Sequence, residues 1–119
     1  MSAEVAVHEF GRALGIAGLA FNQNGVVRLD FERTGSLSIE HDDKATILYL
    51  ARAIDPAKTG VLERALGLCH FERIDRLRPG VGLTREGALV FWVRLESPDV
   101  PALQEGFDLL CRLHERAAG

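Results

Sequence analysis

The chain has 119 residues, the size of one modest domain, and we treat residues 1–119 as a single domain. The 14 Lys and Arg residues are interleaved with 17 Asp and Glu residues, giving a formal net charge of −3. This balance argues against sequence-independent nucleic-acid binding, which needs clustered basic residues. Hydrophobic residues make up 47% of the chain, more than a small core absorbs, which indicates an oligomer interface, a binding surface or both.

No targeting or membrane segment is expected. The N-terminal residues lack the basic region and apolar run of a signal peptide, and no apolar run approaches transmembrane length. The two cysteines, Cys69 and Cys111, are too few for a secreted disulfide scaffold. We interpret them as reduced core or interface thiols of a cytosolic protein.

The first predicted element is a helix from about Ala3 to Gly15. Its apolar residues Val7, Phe10 and Leu14 fall on one helical stripe. Asn24-Gly25 then predicts a turn, because both residue types tolerate positive φ.

A meander of three strands follows. In the first strand Val27, Leu29 and Phe31 share one face, and in the second strand Leu37, Ile39 and His41 do. The third, Ala45–Ala51, is almost wholly apolar, which predicts a strand covered on both faces. The short connections predict antiparallel pairing.

The second half of the chain repeats helices and strands. Asp55-Pro56 is predicted to open a helix, since Asp can cap and Pro suits a first turn. A weak strand at Arg78–Thr84 and a strong one at Leu89–Leu95 flank a Gly87 turn. A last helix starts near Ser97 or Asp99 and carries an apolar stripe of Leu103, Phe107, Leu110 and either Leu113 or His114.

The order of elements is therefore helix, three strands, helix, two strands, helix. It predicts an α+β fold in which helices pack on a twisted antiparallel sheet.

Catalytic and metal chemistry find little support. Cys111 and His114 lie one helical turn apart and could share a metal, but Cys69 and His70 are adjacent and would point in different directions. His8-Glu9 and His41-Asp42-Asp43 fall on a predicted helix face and a turn, where such residues are commonly solvated. Nucleophile-elbow, phosphate-loop and dinucleotide motifs are absent. We expect no enzyme activity and no cofactor; a small metal-binding enzyme is the less favoured alternative.

Three stretches resemble one known family. Phe10, Leu14-Gly15-Ile16 and Leu19 match a Phe-x-x-x-Leu-Gly-Leu-Pro-x-Leu pattern, with Ala17 in place of Pro. Phe21-Asn22-Gln23-Asn24-Gly25 matches Phe-Asp-x-x-Gly, with Asn22 in place of Asp. Val81-Gly82-Leu83, Gly87 and Leu89–Leu95 match the second half, and His70 stands where Asn is usual. Nearly the whole chain thus resembles the class I chaperones of bacterial type III secretion, which include the Tir chaperone.

The resemblance implies a homodimer without ATPase activity in the cytosol of a Gram-negative bacterium. Such a dimer would bind an extended segment near the N-terminus of a secreted effector and keep it export-competent, a role in virulence. The alternative is a subunit of a heterodimeric chaperone that serves a secretion-apparatus regulator.

An extended peptide can add to a sheet edge through main-chain hydrogen bonds, while pockets for its side chains give specificity. Each candidate for effector contact could instead be ordinary core; the set is Val7, Phe10, Leu14, Leu19, Phe21, Leu29, Phe31, Leu37 and Ile39. The candidates for a dimer interface are Val61, Leu62, Ala65, Leu66, Leu68, Phe91 and Trp92. For Trp92 the alternative is packing beneath the last helix.

Overall fold

The computed structural model describes residues 2–71, with the backbone alone at Phe71, and residues 77–119. These residues form the predicted α+β fold with its elements in the predicted order. The elements are α1 (Ala3–Ala13), β1 (Val26–Phe31), β2 (Gly35–His41), β3 (Thr46–Arg52), α2 (Val61–Phe71), β4 (Gly80–Leu83), β5 (Leu89–Leu95) and α3 (Val100–Ala118).

The five strands form one sheet in the order β1-β2-β3-β5-β4, and all neighbours are antiparallel. The predicted meander of β1, β2 and β3 is confirmed. Strand β5 then pairs with β3, which places β4 outside β5. The sheet therefore has two edges, β1 and the four-residue β4.

Helices α1 and α3 cover one face of the sheet, which we call the inner face. Helix α3 crosses the central strands closely at Gly106, where an added Cβ would lie 3.4 Å from side-chain atoms of Leu48 and Val93. Helix α1 packs against α3 through Phe10, whose ring meets Phe107 edge-on with the centroids 6.0 Å apart. The core lies between these layers and includes Val7, Phe10, Leu37, Ile39, Leu48, Leu50, Phe91, Val93, Leu103 and Leu110.

Within residues 2–71 and 77–119, no helix covers the opposite, outer face. In β3, Leu48 and Leu50 are buried, whereas Ile47 and Tyr49 on the other face are partly exposed. The prediction that β3 is covered on both faces is therefore wrong, because the helices pack on the inner face alone. A continuous apolar run reflects two apolar faces, but it does not show that both are covered within one chain.

The second helix begins later than predicted. The Asp55 carboxylate accepts the N–H of Ala57 at 2.9 Å and its carbonyl accepts the N–H of Lys58 at 3.0 Å, which closes a local turn. Gly60, with φ of +73°, then redirects the chain, and α2 starts at Val61. The prediction that Asp55-Pro56 opens this helix is wrong because the same residue pair also favours an isolated turn.

One side chain of helix α2 bonds to the end of α3. The Arg64 Nε donates to the carbonyl oxygen of Ala117 at 2.8 Å, near the C-terminal end of α3. A cation at this end satisfies a carbonyl without a helical partner and interacts favourably with the helix dipole. Helix α2 packs beside α3 and also contacts β4.

His114 ties the last turns of α3 to the centre of the sheet. Its Nε2 lies 2.6 Å from the carbonyl oxygen of Leu50, and its ring meets Phe91 edge-on at 4.8 Å. Burial lowers the pKa of His114 from 6.5 to about 4, even though the bond to Leu50 acts in the opposite direction. The imidazole is therefore neutral at pH 7.

This pKa predicts a stability change in mild acid. The unfolded chain binds the His114 proton below about pH 6.5, and the folded chain only near pH 4. Stability is then full above pH 6.5 and falls by up to about 3 kcal/mol as the pH drops to 4. The His114→Gln variant should lack this pH-dependent component. The difference in free energy of unfolding between wild type and variant, measured with urea, should therefore be smaller at pH 4 than at pH 7. Parallel pH profiles would contradict the assignment.

Gly11 predicts a second stability effect. An added Cβ would lie 2.7 Å from the Leu19 Cβ, where the chain after α1 folds back on the helix. Gly11→Ala should therefore lower the free energy of unfolding by about 1–2 kcal/mol despite the better helix propensity of Ala. Gly106→Ala is the matched control, because its Cβ would make ordinary contacts; urea unfolding should show it neutral or stabilised. Equal shifts in the two variants would contradict this explanation.

Candidate functional site

The effector-contact candidates divide into two groups. Five are buried in the core: Val7, Phe10, Leu19, Leu37 and Ile39. Four are only partly buried and pack against that core: Leu14, Phe21, Leu29 and Phe31. Only the second group leaves side-chain surface open to contact, because the first group lies in the core.

Aromatic packing connects the partly buried group to α3. The Phe31 ring, at the end of β1, stacks on Phe107 with centroids 5.6 Å apart and 26° between planes. Phe107 is itself partly exposed. The apolar spacing predicts Phe107 on the core stripe of the last helix; its position beside the β1 edge depends on the packing of α3 across the sheet.

The backbone N–H and C=O groups of β1 point alternately toward β2 and toward solvent. The N–H of His41 donates to the carbonyl of Gly25, and this pair continues the register in which Val26 faces Glu40. In an antiparallel ladder the hydrogen-bonded pairs then recur at every second residue. Val27, Leu29 and Phe31 therefore bond to β2, and Val26, Arg28 and Asp30 turn their backbone groups outward.

Asn22 bonds to Val26, the first of these outward-facing residues. Its side-chain Oδ1 accepts the N–H of Val26 at 3.1 Å and that of Asn24 at 2.8 Å, while its own N–H donates to the Val26 carbonyl at 2.8 Å. Both outward groups of Val26 are thus satisfied. An Asp carboxylate could accept the same bonds, so the Asn at this position keeps the turn chemistry.

The two remaining outward positions carry opposite charges. The Arg28 Nε donates to Asp30 Oδ1 at 3.3 Å, and the Ser36 hydroxyl donates to the same oxygen at 2.6 Å. The Ser36 bond first, and then Arg28, hold the pKa of Asp30 below its usual value. The carboxylate is therefore ionised at neutral pH.

The dimer candidates also divide. Val61, Ala65 and Phe91 are buried within the chain, and Leu62 and Leu68 are partly buried. Leu66 and Trp92, by contrast, are 54% and 39% exposed. These two exposed side chains belong to elements that flank the β4 edge.

Trp92 lies on the outer face, so the alternative that it packs beneath the last helix is wrong. The indole sits over Gly80, its partner in the β4–β5 register, where an added Cβ would overlap the ring. Tyr49 is its neighbour on β3. An open trough of about 730 Å³ continues across this face and is lined in part by Ser38, Tyr49, Ala51 and Val90.

Metal ligands do not gather in residues 2–71 and 77–119, where no three His, Cys, Asp or Glu side chains are placed to hold an ion. His114 is directed at Leu50. Burial raises the pKa of the Cys111 thiol, which favours its protonated form at neutral pH. None of the helices in these ranges has the length and apolarity to cross a membrane.

Solved structures of low sequence identity share the fold. A chain of the HopA1–SchA chaperone–effector complex superposes with a TM-score of 0.65 at 20% identity, covering 93% of this chain and 91% of that one. A chain of the heterodimeric ExoU–SpcU complex from the type III secretion system of Pseudomonas aeruginosa gives 0.64 at 20% identity, covering 94% of each chain.

A third structure is a complex of the Yersinia pestis type III secretion chaperone SycH with a stable fragment of YscM2. Its matching chain gives a TM-score of 0.70 at 12% identity, covering 97% of this chain and 99% of that one. No curated protein matches the chain in sequence.

The sequence itself matches one family over almost its full length. The model of the type III secretory system chaperone SycN family aligns with residues 3–118. This match and the shared fold confirm the resemblance found in the sequence. The chain belongs to the SycN family of type III secretory system chaperones.

Proposed function

We propose that the chain acts in the cytoplasm as a homodimeric chaperone that binds an extended N-terminal segment of a type III effector and has no catalytic activity. The observation that carries the proposal is the juxtaposition of an open strand edge with partly exposed apolar side chains. On β1, Leu29 and Phe31 face the inner side, next to the outward backbone groups of Arg28 and Asp30.

This arrangement suits a client held in an unfolded form. Main-chain hydrogen bonds along β1 would hold an extended segment whatever its sequence, and apolar client side chains would pack beside Leu29 and Phe31. The chaperone–effector complexes that share the fold support this proposal.

The second copy of the chain is proposed at the β4 edge. There Leu66 on α2 and Trp92 on β5 leave apolar surface in water, and the short edge strand between them has outward backbone groups. A symmetric partner would cover both side chains at once. A large aromatic side chain in such a place is a suitable anchor.

The client proposal is tested by affinity purification of the tagged chain from its native host under secreting conditions, followed by limited proteolysis and mass spectrometry. We expect a protein secreted by the type III apparatus, protected near its N-terminus. Leu29→Ser should weaken recovery of this complex by about tenfold, because a partly buried apolar contact is lost.

Val5→Ser on α1 is the matched control, since Val5 is 51% exposed and is not among the residues proposed to contact the client; this variant should bind as wild type. Purification of the wild-type chain without any secreted protein would contradict the proposed function. A client protected only at its C-terminus would do so as well.

A further inference from the structure

The β1 edge offers a client very few backbone groups. Asn22 satisfies both outward groups of Val26, and the strand ends at Phe31. The groups left for a client are the N–H and C=O of Arg28 and of Asp30. An added strand can therefore pair directly with only these two residues, with Leu29 between them.

The side chains at this window carry a charge pattern. Those of Arg28 and Asp30 are 66% and 69% exposed and lie on the outer face. Leu29 lies between them on the inner face and is partly buried. A client residue opposite Leu29 would turn toward the apolar inner side, and its two neighbours would turn toward the charged outer side.

We propose that the β1 edge selects a client core with the order basic, apolar, acidic from N- to C-terminus, bound antiparallel to Arg28, Leu29 and Asp30. This proposal rests on the proposed function. The basic client residue lies opposite Asp30, the apolar residue opposite Leu29 and the acidic residue opposite Arg28. Opposite charges that face each other across two strands stabilise their pairing, and like charges weaken it.

Asn22 is the residue that sets the register. The backbone groups of Val26 are already bonded to Asn22. A client strand shifted by two residues toward the start of β1 would therefore find no hydrogen-bond partner there. A slip in the other direction would leave the strand at Phe31 and lose the Asp30 charge pair. Apolar side chains of the client then meet Leu29 and Phe31 in a single register.

The test uses two seven-residue peptides, acetylated and amidated, with Thr residues flanking either Lys-Val-Glu or Glu-Val-Lys. Amide hydrogen exchange is followed by NMR in the ¹⁵N-labelled full chain. We expect Lys-Val-Glu to slow exchange at the amides of Arg28 and Asp30 and to leave the Val26 amide unchanged. It should bind about tenfold more tightly than Glu-Val-Lys.

The double variant Arg28→Glu/Asp30→Arg is the matched control, because it exchanges the two charges and keeps the backbone. Its peptide preference should be reversed. Equal affinity of the two peptides for the wild-type chain would overturn the proposal, as would saturation by Lys-Val-Glu without slower exchange at Arg28 and Asp30.

Failure of the charge pattern is distinguishable from failure of the chaperone role. One outcome is that the double variant recovers the native effector complex as well as wild type does and binds both peptides equally. In that case the charge pattern is wrong and the chaperone role stands. If wild type recovers no secreted protein, the proposed function fails, whatever the peptides do.

Discussion

In the part of the chain that the structure describes, the helices pack on one side of the five-stranded sheet, and this constraint determines what the rest of the surface can do. Helices α1 and α3 fill the inner face, and α2 packs beside α3, where Arg64 bonds to Ala117. Tyr49 and Trp92 consequently remain partly exposed on the outer face. Apolar surface left in water on a protein of this size favours association.

The two edges of the sheet are built differently, which suits two different partners. At β1, Asn22 satisfies the first outward backbone pair and leaves a short window bordered by charged and apolar side chains. At β4, Gly80 lacks a side chain and thereby leaves room for the Trp92 indole over the strand. The first edge suits an extended client, and the second suits a self-complementary apolar contact.

Much of the fold could be predicted because the strands carry regular alternation and the helices carry apolar stripes, as in β1, β5 and α3. The start of α2 was missed because Asp55-Pro56 closes a turn with the same chemistry that caps a helix. Exposure was harder to predict. Phe10 and Phe31 look alike in sequence, yet only the packing of α3 buries one and leaves the other partly open. The Asn22 bonds to Val26 depend on turn geometry that a Phe-Asn-x-x-Gly pattern only suggests.

We propose that apolar surface left open by one protomer is covered by a second copy. Light scattering of the purified chain, measured beside Leu66→Asp and Val5→Asp, tests it most directly. These two positions are similarly exposed, at 54% and 51%, but only Leu66 borders the β4 edge. The account predicts twice the mass of one chain for wild type and Val5→Asp, and loss of the dimer for Leu66→Asp. A soluble wild-type monomer, or a stable Leu66→Asp dimer, would contradict it.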